Sequence, residues 1–431
     1  MLGGHLTMSA VRMFIPVFAC LAIASATADD AAASPSIRYG VQDDAWLLGG
    51  PGSYNSRLRF LKQLGVDVVR VNVRWNETAR RRPTRPRRHT DPAYRWAAAD
   101  ALLNALQDHG ITAVVTLVGT PRWANGGRSP NWAPTNAGSF ASFAYAAARR
   151  YPQVRHWVIW NEPNKNWSLR PTAPATYVRL LNAAYAAIKR VNPRDLVAGG
   201  VTAPRGGSGD VAPVDWIRGM RAAKPRLDAY AHHPYPLSRA ETPFSGGCRS
   251  CPSLTLASLN RLLAEVSRAF GPKPVWLTEY GYQTNPPDRA LGVSKSLQAR
   301  YLAEAALRTY RAPRVEMLIQ FLIRDERAVS RWQSGLFTST NAAKPSLGAF
   351  RMPLAQVSRR GPIVTLWGQV RPGTGQQLYR LRFKAGGNWR WLPRTRVTDA
   401  RGFLTVRLRL PRGARAQLSW RGSLGAQLRL A

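Results

Sequence analysis

Acidic residues are scarce in this sequence, which carries 23 Asp and Glu against 62 Lys and Arg and has a formal net charge of +39. Such a basic balance often indicates nucleic-acid binding. Only eight of the cations are Lys, however, and the arginines are spread along the whole chain. We therefore predict no nucleic-acid partner. Two explanations of the charge stay open, namely a compositional bias or attraction to an anionic polymer.

Cysteine is equally rare, with three residues in the chain. Cys20 lies in an amino-terminal apolar run, which leaves Cys248 and Cys251 in the sequence Cys-Arg-Ser-Cys. Two thiols make a poor zinc site, which needs four ligands, and no thioredoxin-like context supports a redox pair. We expect a disulfide formed in an oxidising compartment. Adjacent His232 and His233 would point to opposite sides of a strand, so we predict no metal and no cofactor.

The sequence has a single extended apolar run, Met13–Ala24, which is shorter than the roughly 20 residues that span a bilayer. His5 and Arg12 precede this run, and Ala26-Thr-Ala28 follows it. This order of basic, apolar and small residues predicts a cleaved signal peptide over residues 1–28, with an uncleaved anchor as the alternative. We therefore predict a secreted protein, extracellular or associated with the cell envelope, that has no membrane span after cleavage.

No glycine-rich phosphate-binding sequence follows the first apolar strand, which argues against an open doubly wound sheet. Residues 36–350 instead alternate apolar runs, typical of strands buried on both faces, with amphipathic helical stretches. Eight such repeats predict a (β/α)8 TIM barrel. The predicted strands are Ile37–Val41, Val66–Val73, Thr112–Val118, His156–Trp160, Leu196–Val201, Leu227–Ala231, Val275–Thr278 and Met317–Phe321. The clearest predicted helices are 91–109, Thr176–Val191, Leu254–Phe270 and Ser294–Arg311.

Beyond Phe350 the pattern changes to short apolar runs separated by turns that contain Gly and Pro. This predicts a small all-β, sandwich-like domain over residues 357–431. From residue 351 onward the chain carries 16 Arg and one Lys against a single acid, Asp399. The predicted strands are Ile363–Val370, Leu378–Phe383, Trp389–Leu392 and Phe403–Leu410.

Two glutamates fall at the carboxyl ends of predicted strands, where the active sites of barrels form. Glu162 follows strand four in Trp-Asn-Glu-Pro-Asn, and Glu279 ends strand seven in Leu-Thr-Glu-Tyr. A lone glutamate in this position often pairs with a structural arginine, but two at the same end of a barrel, near several tryptophans, indicate a catalytic pair. Hydrolysis of a glycosidic bond needs such a pair, with one carboxyl protonated and the other ionised.

The motifs Trp160–Asn164 and Thr278–Tyr280 resemble those of clan A glycoside hydrolases, most closely family 39 or the cellulase-like family 5. The resemblance covers nearly the whole barrel. It implies an O-glycosyl hydrolase that cleaves a poly- or oligosaccharide with retention, by double displacement. In that mechanism Glu162 would be the acid/base and Glu279 the nucleophile.

The same resemblance implies roles for four supporting residues. Asn161 would hold the sugar 2-hydroxyl, and Arg70 would support the nucleophile. His233 and Tyr235 would line the cleft near the nucleophile. The sequence departs from the family pattern at strand eight, where many relatives carry a sugar-stacking tryptophan and this chain reads Ile-Gln-Phe-Leu-Ile-Arg. This departure leaves the substrate open.

Further candidates are aromatic and basic side chains near the strand ends. Tryptophan rings could stack on sugar faces, although packing in the core or rim is the alternative for each. The loop 79–89 holds six arginines, which are either a hydrated surface or partners for the carboxylate, sulfate or phosphate of an anionic glycan. The candidate tryptophans are Trp75, Trp123, Trp132, Trp160 and Trp167.

Two other classes of function compete with hydrolysis. A sugar-binding protein could keep the barrel and lose turnover, but the intact glutamate pair argues against this. A non-catalytic glycan- or envelope-binding protein could use the barrel as a scaffold, and its function would then depend on residues 351–431. We predict the hydrolase.

Overall fold

Eight parallel strands close into a barrel in sequence order, with β1 hydrogen-bonded to β8. The computed structural model describes Ser34 and residues 36–431, so the predicted signal peptide lies outside the described residues. The barrel confirms the predicted fold. Its strands are β1 Arg38–Gln42, β2 Val68–Arg74, β3 Thr112–Val118, β4 His156–Ile159, β5 Leu196–Thr202, β6 Ala229–His232, β7 Val275–Tyr280 and β8 Val315–Phe321.

Helices surround the barrel and pack their apolar faces against the strands. The predicted helix over 91–109 begins later than expected, because Asp91 accepts hydrogen bonds from the amides of Arg85 and Ala93 and so forms a turn. None of the helices within the described residues is long and apolar enough to cross a membrane. The helices are α1 Asp44–Gly49, α2 Tyr54–Leu64, α3 Trp75–Thr78, α4 Ala97–Asp108, α5 Ala137–Arg150, α6 Pro174–Val191, α7 Pro213–Ala222, α8 Leu259–Phe270, α9 Lys295–Tyr310 and α10 Pro345–Arg351.

Beyond α10 the chain forms two antiparallel sheets that share one apolar core, as expected for a small all-β domain. One sheet has the order β14-β10-β9, and the other has the order β12-β11-β15-β16, with β13 paired to β11 and β17 to β15. The strands are β9 Leu354–Arg360, β10 Ile363–Gln369, β11 Leu378–Lys384, β12 Arg390–Trp391, β13 Arg396–Val397, β14 Phe403–Arg409, β15 Arg415–Trp420, β16 Ser423–Leu424 and β17 Leu428–Arg429.

The carboxyl-terminal domain contacts the barrel at residues that precede its strands. The guanidinium of Arg401 donates to the carbonyl of Ile37, just before β1, at 3.0 Å. Tyr310, which precedes β8, packs against Trp367 and Phe403 with ring centroids 5.3 and 4.6 Å away. The domain therefore lies toward the amino-terminal ends of the barrel strands.

Candidate active site

A cavity of about 850 Å³ opens at the carboxyl ends of the barrel strands. Its lining includes Glu162, which follows β4, and Glu279, which is the second-to-last residue of β7. The predicted pair therefore meets in one mouth. Their closest carboxylate oxygens lie within 4.8 Å of each other.

Glu279 is surrounded by groups that stabilise a negative charge. The fully buried guanidinium of Arg70 forms an ion pair with its Oε1. The hydroxyl of Tyr235 donates to its Oε2 at 3.0 Å. Burial and the neighbouring Glu279 raise the pKa of the Tyr235 phenol well above its usual range, so Tyr235 keeps the proton that it donates. These contacts stabilise a negative charge on the Glu279 carboxylate.

Arg70 is held by further neighbours on β1 and β3 and just after β4. Its Nε donates to Thr116 at 2.8 Å, and its Nη1 donates to Gln42 at 2.7 Å. Its Nη2 donates to the Oδ1 of Asn161 at 2.7 Å. Because the amide oxygen of Asn161 faces Arg70, its amide nitrogen is left to donate to a ligand. Arg70 thus orients Glu279 and Asn161 together.

Glu162 has a different environment. Burial raises the pKa of its carboxyl from 4.5 to about 7, although Arg70 and Lys165 act in the opposite direction. Its side chain keeps 12% of its surface exposed. The surroundings of Glu162 therefore favour a proton near neutral pH, whereas the contacts of Glu279 stabilise a negative charge, which is the division that acid and nucleophile roles require.

His233 lies between the two carboxylates and is neutral, because burial lowers the pKa of its imidazole to about 3. Its Nε2 faces the Nη1 of Arg70 at 3.4 Å. A guanidinium can only donate, so Nε2 is the accepting nitrogen and Nδ1 carries the hydrogen. That Nδ1–H donates to Glu162 at 2.9 Å and lies 3.6 Å from Glu279. His233 therefore spaces and orients both acids.

Glu162, His233 and Glu279 are also close enough together to act as ligands for one metal ion. The Arg70 guanidinium already supplies a positive charge to Glu279, and Nδ1 of His233 carries a hydrogen. Both features oppose the binding of a metal ion at these three residues.

The backbone at the end of β4 is strained. Trp160 and Glu162 have φ angles of 70° and 42°, a region that side-chain-bearing residues rarely adopt. The indole of Trp160 is buried and donates to the carbonyl of Ser168 at 3.0 Å, which holds the turn. Strain of this kind concentrates at functional sites. Here it directs the Glu162 carboxyl into the cavity.

The five candidate tryptophans have different surroundings. Trp160 and Trp167 line the cavity, and Trp167 is 55% exposed. Trp75 is buried and stacks on Phe143, while Trp123 donates to the carbonyl of Ala79. Trp132 lies beneath the guanidinium of Arg128, 4.2 Å from its ring centroid. Trp75, Trp123 and Trp132 are outside the cavity lining, so packing is the role that their positions favour.

Trp332, in the loop after β8, lines the cavity and was not anticipated from the sequence. Its ring lies 4.8 Å from that of Tyr235 and 5.6 Å from that of Phe321. The loop is anchored by buried Lys344, which donates to the neighbouring Gln333 carbonyl at 3.0 Å. Trp332 thus supplies an aromatic surface next to strand eight, where the strand itself has none but Phe321. A tryptophan shortly after the last barrel strand was the available signal.

Asp44 and Asn72, at the carboxyl ends of β1 and β2, also line the cavity without having been predicted. The Asn72 amide donates to Oδ2 of Asp44 at 2.8 Å. Asp44 Oδ1 and Asn72 Oδ1 are buried and have no hydrogen-bond partner among the described residues. Unpaired buried acceptors require a donor, so this pair is suited to receive hydroxyl hydrogens. The acidic Asp-Asp sequence directly after strand one was the signal.

The loop 79–89 and the cysteines lie apart from this site. None of the six loop arginines lines the cavity, where the cationic residues are Arg74 and Arg331. Cys248 and Cys251 form the expected disulfide, in the long loop after β6.

Most of the barrel matches a known protein family in sequence. Residues 32–306, well over half of the chain, match the cellulase family, glycosyl hydrolase family 5. No curated protein matches the sequence.

Among solved structures, the chain is similar to a family 39 glycoside hydrolase from Bacteroides cellulosilyticus WH2, with a TM-score of 0.59, 18% identity and coverage of 91% of this chain and 82% of that one. It is similar to the GH39 enzyme of Xanthomonas axonopodis pv. citri, with a TM-score of 0.59, 14% identity and coverage of 93% and 96%. It is also similar to a monomeric β-xylosidase of Caulobacter crescentus CB15, with a TM-score of 0.56, 15% identity and coverage of 89% and 95%. These likenesses show the shared fold, and the family match shows that the chain belongs to the cellulase family of glycoside hydrolases.

Proposed function

We propose that this protein is a secreted, retaining glycoside hydrolase in which Glu279 is the nucleophile and Glu162 the acid/base. The observation that carries the proposal is the unequal environment of the two carboxyls. Arg70 and Tyr235 stabilise a charge on Glu279, whereas burial raises the pKa of Glu162 to about 7. The carboxylate oxygens within 4.8 Å of each other support retention, because inverting pairs are about 6.5–9.5 Å apart.

The reaction then proceeds in two displacements. In the first, a Glu279 oxygen bonds to the anomeric carbon while the bond from that carbon to the leaving oxygen breaks, and this oxygen takes the proton of Glu162. In the second, Glu162 accepts a proton from water as the water oxygen attacks the anomeric carbon and releases Glu279. One water is consumed, and the sugar product keeps its original anomeric configuration.

The neighbouring residues prepare these steps. Arg70 and Tyr235 stabilise Glu279 as a leaving group in the second displacement. The amide nitrogen of Asn161 is positioned to donate to the sugar 2-hydroxyl. His233 holds the acid/base through its Nδ1–H. Each of these groups is fixed by its own hydrogen bonds before substrate arrives, which favours catalysis.

For the substrate, we propose a hydroxyl-rich sugar ring held by Asp44 and Asn72, with Trp332 and exposed Trp167 packing against ring faces. An anionic glycan would be held at the mouth by Arg74 and Arg331 rather than by the loop 79–89. The cavity also contains several acids, so we favour a sugar that is neutral at the cleavage point.

The stereochemical outcome tests the proposal. A panel of aryl glycosides and polysaccharides identifies a cleaved substrate, and proton NMR then follows the anomeric signals of the first product. We expect the product to appear first with the anomeric configuration of the substrate. A first product of the opposite configuration would rule out the covalent mechanism.

The Asp44→Ala variant should lower kcat/KM by about 10- to 100-fold, as expected for losing the hydrogen bonds of substrate hydroxyls to a buried carboxyl group. The loss should shrink for a substrate that lacks the hydroxyl bound by Asp44, measured with a set of deoxy-sugar glycosides. Asp215→Ala, which removes an exposed acid on α7, is the matched control and should leave kcat/KM unchanged. An equal loss for every deoxy substrate would contradict the assigned contact.

A further inference from the structure

A strongly basic surface, separate from the active-site cavity, lies on the outer face of the six-stranded sheet of the carboxyl-terminal domain. Along β11, Tyr379 and Leu381 point into the apolar core, so the alternating Arg380 and Arg382 point outward. Gln417 of β15 lies opposite Arg382 and accepts two hydrogen bonds from its guanidinium, at 2.9 and 2.7 Å. The arginine–tryptophan face, as we call it, comprises Arg380, Arg382, Trp389, Trp391, Arg415 and Gln417.

Two indoles and two guanidiniums alternate on this face. The guanidinium carbon of Arg382 lies 4.6 Å from the ring centroid of Trp389 and 5.7 Å from that of Trp391. The guanidinium carbon of Arg380 lies 4.4 Å from the ring centroid of Trp391, and Trp391 is 41% exposed. Stacking holds the planar guanidiniums in place, so less conformational freedom is lost when their N–H edges bind an acceptor.

These arginines have no anionic partner of their own. Within the described residues, no arginine from 351 onward lies within 4.0 Å of a carboxylate, whereas barrel arginines such as Arg150 and Arg155 do form ion pairs. The only acid of the domain, Asp399, accepts hydrogen bonds from the backbone of its own turn. The face therefore carries uncompensated positive charge, held in fixed positions.

The face continues into a groove between the domain and the barrel. The groove has a volume of about 900 Å³ and is lined by Arg415 and Gln417 together with Arg351 and Arg429. The Nε of Arg351 is buried and has no hydrogen-bond partner among the described residues. The groove thus adds further positive charge beside the stacked pair.

We propose that the arginine–tryptophan face binds an anionic polysaccharide, whose carboxylate groups pair with the guanidinium edges. Fixed guanidinium forks match carboxylates in bidentate fashion. A single-stranded nucleic acid would need open aromatic faces for base stacking, but here guanidiniums cover the facing sides of both indoles. The proposal rests on the membership of the chain in a glycoside hydrolase family and not on the roles of Glu162 and Glu279. It also places binding near the end of the barrel opposite the cavity.

The test measures binding of the full chain to polygalacturonate by affinity electrophoresis. The triple variant R380Q/R382Q/R415Q should bind about tenfold or more weakly than the wild type. The matched control R407Q/R409Q/R412Q removes the same charge from exposed positions of the other sheet and its adjoining turn, and should change affinity less than about twofold. Equal weakening by both triples would overturn the proposal in favour of diffuse charge.

Three further binding measurements sharpen the result. R380K/R382K keeps the charge but loses the planar fork, so it should still bind more weakly than the wild type, and unchanged affinity would overturn the role of the stacked pair. Methyl-esterified polygalacturonate, which has no charge, should not bind, and equal binding of this polymer would contradict carboxylate recognition. Tighter binding to poly(U) at the same salt would identify a nucleic-acid surface instead. Hydrolysis of small aryl glycosides should be unchanged in every variant, which separates this proposal from that for the active site.

Discussion

Glu279→Ala is expected to lose turnover by a factor on the order of 10⁵–10⁶, the size that follows removal of a covalent nucleophile. The variant removes the carboxylate that would attack the anomeric carbon and leaves the Arg70 guanidinium without its anionic partner. The measurement is kcat on an activated aryl glycoside. Asp215→Ala should keep wild-type turnover, because Asp215 is an exposed acid that does not line the cavity.

Azide distinguishes a lost nucleophile from a damaged fold. A small anion can occupy the space vacated by the Glu279 carboxylate, next to Arg70, and attack the anomeric carbon from the same side. Turnover should then return in part, with a glycosyl azide whose anomeric configuration is opposite to that of the substrate. A Glu279→Ala variant that retains its turnover without azide would remove the assignment.

Glu162→Ala should slow the turnover of substrates with poor leaving groups by about 10²- to 10⁴-fold and that of activated substrates far less, because only the former need a proton.

The pH dependence of kcat/KM gives a second readout. The acid must be protonated to act, and burial raises its pKa to about 7. In the wild type, kcat/KM for a poor leaving group should therefore fall as pH rises through about 7. This fall should be absent in the variant.

The azide product again provides the contrast. In Glu162→Ala, azide would enter on the face where water normally attacks the glycosyl-enzyme, so the glycosyl azide should keep the configuration of the substrate. The two variants should thus give azides of opposite configuration. Identical configurations would show that the two roles have been assigned wrongly.

The barrel and the approach of the two glutamates could be predicted because both follow from local pattern and topology. Buried parallel strands have a recognisable composition, and their carboxyl ends meet at one mouth. The supporting set of Arg70, Asn161, His233 and Tyr235 came from family motifs, and the structure brings all four into contact with the glutamates or with each other.

Features that depend on loops were not predictable. Trp332 reaches the cavity because a buried lysine anchors a loop of irregular backbone, which leaves no periodic signal. Trp75 and Trp123 also lie near strand ends, but Trp75 packs against Phe140 of α5 and Trp123 packs against Trp75, so neither lines the cavity. The basic loop 79–89 follows a strand, yet none of its arginines lines the cavity. In each case, long-range packing sets the direction of the side chain.

The attachment of the carboxyl-terminal domain has a consequence for how the chain unfolds. The buried guanidinium of Arg371 lies 3.5 Å from the ring centroid of Tyr39 in β1, and Trp367 and Phe403 belong to the same apolar cluster as the barrel helices. Separating the two parts would expose this shared cluster to water, at a cost in free energy for both. The barrel and the sheets are therefore one cooperative unit, and removing residues 351–431 would destabilise the hydrolase as well as delete its basic surface.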